Sequence, residues 1–276
     1  MRRQRLDAEL VRRKLAVSRN QATQLIAQGR VTVGGQVVSK PASQVDLACG
    51  ITVKQLAEGP DYVSRGGRKL AGALDQLADH APKLDGRIAL DAGASTGGFT
   101  DVLLRRGVRR VFAVDVGYGQ LAWSLRQDQR VTVMERINVR HLTLEALDEV
   151  PEVVVGDLSF ISLTTVLPVL SRLAPGASAD FFLLVKPQFE VGRQALPAGG
   201  VVRDPQHWRM AIVKVVDCAE QLGLAPQAVV RSPLPGPSGN IEFFVHLKRG
   251  TGLDATALTL AVAQAIGDTH SQTSRL

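Results

Sequence analysis

Four ionisable residues of this 276-residue chain stand where apolar or glycine-rich patterns break off. Lys69 lies in Ser64-Arg65-Gly66-Gly67-Arg68-Lys69-Leu70, and Asp157 ends the apolar run before Leu158-Ser159-Phe160. Lys186 opens Lys186-Pro187-Gln188-Phe189-Glu190, and Glu242 follows Pro233-Leu234-Pro235-Gly236-Pro237-Ser238-Gly239-Asn240. A charge ending an apolar strand needs a partner, because desolvating it alone is costly. Two amines and two carboxylates could orient one another and take a proton from a weak nucleophile such as a hydroxyl. An amine does this only when its proton affinity falls, which nearby cations and desolvation favour and carboxylates oppose. Taken singly, Lys69 and Glu242 read as surface charges, and Lys186 also reads as a snorkelling strand end.

A second constellation suits a ligand. Asp91-Ala92-Gly93-Ala94-Ser95-Thr96-Gly97-Gly98-Phe99 runs from a buried strand through a glycine-rich turn into a helix. Glycines admit close backbone approach, and free amides at a helix start favour an anionic group. No Gly-Lys-Ser/Thr follows, so the turn is not a P-loop. Its glycine order also differs from the dinucleotide fingerprint. Asp115 ends the next strand, where a carboxylate can accept from both hydroxyls of a ribose; the alternative is an N-cap for the next helix. Asn138, after the third strand, stands at the place for an adenine contact or is a plain turn residue.

The elements that must position these residues alternate. Strands are expected at 88–92, 109–115, 131–134, 152–157, 180–186, 228–232 and 241–247, with helices between most of them and one before the first. That order predicts an α/β domain around a mainly parallel seven-stranded sheet, with ligands at the carboxyl ends of the strands. Asp157 and Lys186 should therefore converge. After Gly250, Leu258, Val262 and Ala265 are weakly periodic, which suggests a helix, and the chain then becomes a Thr/Ser/Gln-rich tail.

The first sixty residues form a separate pattern. Leu6, Leu10, Val11 and Leu15 recur at helical spacing beside Arg12-Arg13-Lys14. Ser18-Arg19-Asn20-Gln21 has the form of a capping box, and Gly29 stops the second helix. Two alternating strands flank Gly34-Gly35, and Ile51-Thr52-Val53 closes a small α+β unit. Residues 56–63 read as a linker broken at Gly59-Pro60. Residues 1–60 hold ten basic and four acidic residues, six of the net charge of +7. Such charge draws phosphates or an anionic membrane surface, or is a solvated face.

These motifs resemble known families. Leu6-Asp7-x-x-Leu10, Ser18-Arg19-x-x-Ala22-x-x-Leu25-Ile26-x-x-Gly29, Val31-x-Val33-x-Gly35 and Lys40-Pro41 resemble the S4 RNA-binding domain. That resemblance implies RNA contacts from Arg19, Gln28 and Lys40, beside Arg3 and Arg5 of the N-terminal charge run. Asp91 through Phe99 resembles motif I of Rossmann-like methyltransferases, which implies S-adenosyl-L-methionine held by that turn, Asp115 and Asn138. The ordered set Lys69, Asp157, Lys186 and Glu242 resembles the tetrad of FtsJ-like ribose 2′-O-methyltransferases. With the N-terminal module attached, residues 2 to about 248 resemble the TlyA (haemolysin A) family of rRNA methyltransferases. The resemblance implies methylation of cytidine 2′-hydroxyls in 16S and 23S rRNA, with ribosomal RNA or ribosomal subunits as partners. In that chemistry Lys186 is the base and Asp157 orients it, while Lys69 and Glu242 position the ribose. The expected division is an S4-like domain at 1–58, a linker at 59–63, the methyltransferase domain at 64–249 and a tail at 250–276.

Composition excludes several alternatives. The start Met1-Arg2-Arg3-Gln4-Arg5 is not a secretory leader, and no apolar run approaches a bilayer span. Cys49 and Cys218 match no metal or redox spacing, so reduced thiols, no metal and a cytoplasmic protein are expected. A base N-methyltransferase would carry Pro-Pro-aromatic after the fourth-strand acid, where Leu158-Ser159-Phe160 stands instead. A membrane-active haemolysin lacks a strong amphipathic segment here. A non-catalytic RNA-binding protein would fail to bind S-adenosylmethionine.

Overall fold

Apolar runs rich in Val, Leu and Phe between residues 88 and 249 have no polar alternation, which suits strands covered on both faces. In the computed structural model, which describes residues 3–16, 18–27, 29–54, 61–192 and 196–267, they build one sheet. The chain divides into two units, residues 1–61 and 62–276. Gln28 and most of the expected linker, residues 55–60, lie outside the described residues.

In the first unit, β1 (Arg3–Arg5) pairs antiparallel with β4 (Gln44–Asp46), two short strands the sequence patterns do not predict. Helices α1 (Leu6–Arg12) and α2 (Arg19–Ala27) pack beside a small sheet of β2 (Val31–Val33), β3 (Gln36–Val37) and β5 (Ile51–Val53). Leu6, Leu10, Ala22, Leu25, Ile26, Val31, Val45 and Ile51 form its core. Ser18 Oγ accepts from Gln21 N at 3.2 Å, the amide half of the expected capping box. Helix α1 ends at Arg12 and Lys14 turns with φ +59°, so Leu15 leaves the helical spacing predicted for it. Two of the three residues of the Arg12-Arg13-Lys14 cluster are paired within the unit. Buried Glu9 accepts from both Arg12 and Arg13, and Arg13 also donates to the carbonyls of Leu47 and Cys49.

The second unit is the predicted α/β layer. Strands β6 (Ile88–Ala92), β7 (Arg110–Asp115), β8 (Val131–Glu135), β9 (Val153–Gly156), β10 (Asp180–Val185), β11 (Leu224–Arg231) and β12 (Phe243–Arg249) lie in the order β11-β12-β10-β9-β6-β7-β8. All neighbouring pairs are parallel except those of β12, which runs antiparallel to both β10 and β11. Side chains alternate between two cores. One holds Leu90, Phe112, Val154, Phe181, Leu183 and Val245 under α6 (Leu163–Leu173), α8 (Pro205–Glu220) and α9 (Ala255–Ile266). The other holds Ala89, Val111, Val153, Phe182 and Phe244 under α3 (Arg65–Leu77) and α4 (Gly98–Arg105).

Several strand boundaries differ from expectation. Strand β11 starts at Leu224 rather than 228 and takes in Pro226 beside a register shift, which an edge strand tolerates. Asp157, Lys186 and Glu242 each fall one residue outside their strands. The weak periodicity after Gly250 is a helix: Asp254 caps α9, whose Val262, Ala263, Ala265 and Ile266 are buried in the second unit.

Helices α3 and α4 meet at their first turns, backbone against backbone. A Cβ on Gly98 would lie 2.6 Å from Gly67 N, and one on Gly67 would lie 3.0 Å from Gly98 O. Gly97 takes φ +95°, which a side chain resists, and Leu121 and Leu125 fill the space beside it. Because backbone cannot retreat as a side chain can, Gly98→Ala should destabilise the fold by roughly 1–3 kcal/mol. Denaturant unfolding of the variant checks this, and an unchanged midpoint would contradict the close packing.

Candidate active site

The carboxyl ends of β6, β7 and β9 open into a cavity of about 630 Å³. Gly93, Ser95, Asp115, Asn138, Asp157, Ser159 and Phe160 are among its lining residues. Gly93 takes φ +86°, and a Cβ there would stand 2.9 Å from the Asp157 carbonyl oxygen, so only glycine lets the β6 turn pass so close to the β9 loop. Asp115 is held in place before any ligand arrives. Its Oδ2 accepts from Ser95 N at 2.8 Å and its Oδ1 from Gly117 N at 2.6 Å. Each carboxylate oxygen keeps a second lone pair, as a ribose diol requires. Asn138 lines the same cavity, with its Oδ1 accepting from Arg140 N at 3.1 Å to cap a short turn.

The rest of the glycine-rich segment serves the wall and the core. Phe99 is buried against Phe244, with ring centroids 5.9 Å apart, so its ring packs in the core. Ala94, Thr96 and Gly97 form the turn and Gly98 opens α4; helical periodicity after Gly97 rotates the Phe99 ring inward. Asp91 is fully buried at the end of β6. Its Oδ2 accepts from Thr100 Oγ1 at 2.7 Å, and its Oδ1 has no partner among the described residues. Burial pushes its carboxyl up to about 7, the Thr100 hydrogen bond opposes that shift, and the negative charges of Asp157 and Asp115 add to it.

The four charges pair as two couples. Lys186 Nζ lies 2.6 Å from Asp157 Oδ1 and donates to Ser159 Oγ at 2.8 Å. The Lys186 side chain is 9% exposed and that of Asp157 22%, so the pair is shielded yet reachable from the cavity. Lys69 donates to Glu242 inside the protein, at side-chain exposures of 5% and 1%. Glu242 is held beneath the Pro-Gly-rich loop before it, since a Cβ on Gly236 would lie 2.6 Å from its Oε1. Arg65 donates to the Pro235 carbonyl, and Pro233 packs on Gly72, so that loop is fastened to α3. Neither lysine is a solvated surface charge. The α3 and β9 residues approach one another too, because a Cβ on Gly66 would stand 4.0 Å from Asp157 Oδ2.

Three participants escape motif reading. Ser159 shares the Lys186 amine, Glu190 is a buried carboxylate beside this lysine segment, and Phe160 is 91% exposed with φ +63° at the cavity wall. A large aromatic in a left-handed conformation and open to solvent is a place for a flat ring to stack. The signal in sequence was only that an aromatic follows a strand-end acid. Of the expected RNA contacts, Arg3, Arg5, Arg19 and Lys40 are exposed on the first unit. Arg5 and Arg19 also donate to buried Asp7, at 2.8 and 3.0 Å, and hold its carboxyl well below the usual range.

The sheet order, the antiparallel β12, the glycine-rich turn and the acid closing β7 together define a Rossmann-like methyltransferase. Comparisons with known proteins agree. The FtsJ-like methyltransferase model matches residues 62–249, and the S4 domain model matches residues 4–48. The chain is 52% identical over 269 residues to the 16S/23S rRNA (cytidine-2'-O)-methyltransferase TlyA of Mycobacterium tuberculosis, spanning 97% of this chain and 98% of that one. It is 30% identical to the 23S rRNA (cytidine-2'-O)-methyltransferase TlyA of Campylobacter jejuni, over 86% and 96% of the two chains. A solved structure of a candidate hemolysin from Streptococcus thermophilus superposes with a TM-score of 0.74 at 35% identity, covering all of both chains. The chain belongs to the TlyA family of FtsJ-like methyltransferases. No helix among the described residues is long and apolar enough to cross a membrane.

The raised Asp91 carboxyl has a measurable sign. A carboxyl whose folded pKa exceeds its unfolded value favours folding below about pH 4 and loses that contribution as pH rises through about 7. Asp91→Asn removes the titration. Between about pH 4.5 and pH 8 the stability of the variant relative to the unaltered chain should therefore rise by on the order of 1–3 kcal/mol. Denaturant midpoints of both proteins at the two pH values check this, and a constant difference would refute it.

Proposed function

We propose that this protein transfers the methyl group of S-adenosylmethionine to the 2′-hydroxyl of cytidines in 16S and 23S rRNA. The observation that carries the reading is the shielded Lys186–Asp157 pair at the edge of the cavity, with Ser159 as a second partner of the amine. The residues present fit the cofactor. Asp115 offers free lone pairs for a ribose diol, Gly93 leaves room at the turn, and the unpartnered Asp91 Oδ1 stands at the end of the same strand. When bound there, S-adenosylmethionine supplies an electrophilic methyl group on a sulfonium.

A ribose hydroxyl is a poor nucleophile and must lose its proton as its oxygen attacks. Lys186 Nζ, once it has lost its own proton to solvent, takes up the hydroxyl proton, while Asp157 and Ser159 fix the direction of the amine. Lys69 and Glu242 hold the α3 edge and the Pro233–Asn240 loop as one wall that positions the ribose. Phe160 offers a ring at the cavity wall for a base of the substrate. The first unit anchors RNA through exposed Arg3, Arg5, Arg19 and Lys40. Arg12 and Arg13 contribute less than the sequence count suggests, because Glu9 occupies them. The names of the relatives from Mycobacterium tuberculosis and Campylobacter jejuni support rRNA and the cytidine 2′-oxygen as the target.

Incubation with labelled S-adenosylmethionine and rRNA, followed by mass spectrometric mapping of the modified nucleotide, tests the reading. Label on a base, or none on rRNA, would sink it. Lys186→Ala should lower single-turnover transfer by about a hundredfold or more while calorimetric cofactor binding persists. Turnover like that of the unaltered chain would remove Lys186 from the role of base.

Lys40→Ala bears on the RNA anchor. Removing one amine that meets a phosphate should lower the slope of log affinity against log salt by up to about 0.9 on duplex RNA and less on single strands. Binding across a salt series checks this, and an unchanged slope would show that Lys40 meets no phosphate.

A further inference from the structure

The segment Lys186–Glu190 ends in a carboxylate that the transfer chemistry above does not use. Glu190 is 2% exposed and closes the short helix α7 (Pro187–Glu190) directly after Lys186. Its two oxygens reach across to a different element. Oε1 accepts from Leu163 N at 2.7 Å, and Oε2 accepts from Ser162 Oγ at 2.5 Å. Ser162 is the N-cap of α6, and its hydroxyl also accepts from Thr164 N at 3.2 Å. Lys214 on α8 secures the same spot, donating to the Glu190 carbonyl at 2.7 Å and standing 3.9 Å from its carboxylate. Burial raises the carboxyl of Glu190, and the bonds from Ser162 and Leu163 oppose that shift.

This clamp joins the two stretches that carry the reacting amine and its partners. Residues 157–162 form the loop from β9 into α6. Its near end holds Asp157, its middle holds Ser159 and Phe160, and its far end is the Ser162 that Glu190 grips. Phe160 is left-handed at φ +63°, a conformation that a bulky residue keeps only when the surrounding structure enforces it. The loop is fixed by Gly93 and Asp157 at one end and by Glu190 at the other. Without the second anchor, Ser159 is free to leave Lys186, and the amine keeps only Asp157 to set its direction.

We propose that Glu190 is a positioning residue for methyl transfer: it locks the start of α6 to the lysine segment and so holds Asp157 and Ser159 against the Lys186 amine. The inference rests on the assignment of Lys186 as the group that takes the ribose proton.

The test compares the unaltered full chain with Glu190→Ala, Glu190→Gln, Ser159→Ala and the Glu190→Ala/Ser159→Ala double variant. Single-turnover transfer to rRNA, KM for rRNA, calorimetric affinity for S-adenosylmethionine and thermal midpoint are measured for each. Glu190→Ala should lower kcat by about tenfold or more, with KM and cofactor affinity within about threefold of the unaltered values. Glu190→Gln keeps an acceptor for Leu163 N and should recover most of the rate. The double variant should be no slower than Glu190→Ala alone, because both changes act on one hydrogen bond to Lys186. Unaltered kcat in Glu190→Ala, rate losses that multiply in the double variant, or a loss of cofactor affinity parallel to the loss of rate would each overturn the inference. If Glu190→Ala shows no folding transition, Ser162→Ala decides: a reduced kcat with unchanged cofactor affinity supports the clamp, and unaltered kcat overturns it. Absence of transfer by the unaltered chain overturns the functional reading and this inference together, whereas transfer equal in both proteins overturns this inference alone.

Discussion

The catalytic unit depends on an approach of backbone to backbone. The first turns of α3 and α4 are so close that the Gly67 and Gly98 main chains occupy the space where side chains would stand. That contact fixes α3, the helix that carries Lys69, relative to the glycine-rich turn that forms the cavity wall. It also brings Gly66 to the edge of Asp157. Packed interiors tolerate little change in volume, so an approach of this kind leaves few alternatives for the elements above it. Gly67 and Gly98 are needed for clearance, and Gly97 for its left-handed backbone as well.

Charge is the second constraint, and it is settled by pairing. Lys69 with Glu242 and Lys186 with Asp157 are both withdrawn from bulk water, where an unpartnered ion would be strongly disfavoured. The two couples differ in access. The first is closed under the Pro233–Asn240 loop and reads as a brace between α3 and the start of β12, whereas the second borders the cavity through Asp157 and Ser159. Asp91 follows the same logic from the other side. It lacks a cationic partner among the described residues, so burial favours its neutral form near neutral pH.

Much of the site was legible because its residues interrupt patterns. Asp115 and Asp157 end apolar runs, and Gly93 and Gly97 stand where a strand must turn sharply into a helix. Each interruption marks a local cost that something must offset. That the Phe99 ring packs in the core was not legible, because adjacency to a motif does not settle which way a helical side chain points. Ser159 and Glu190 were passed over because hydroxyls and carboxylates are common in loops, and only their partners distinguish them. In the first unit, Arg12 and Arg13 add to the basic count, yet both donate to Glu9. Net charge counts residues, while the field outside the protein depends on which charges remain free.

The sequence by itself determined the alternation of strands and helices, the seven strands of the larger sheet and the identity of the paired charges. Periodicity and turn chemistry act over a few residues, and one chain carries them in full. The tertiary structure decided what distance in sequence conceals. It chose which amine meets which carboxylate across 173 residues for Lys69 and Glu242, and it seated the weakly periodic helix α9 on the sheet. It also joined the start of α6 to Glu190 across 28 residues. Contacts of that range form only once the sheet has assembled, since the cost of closing the intervening loops is met by the core and not by the contact itself.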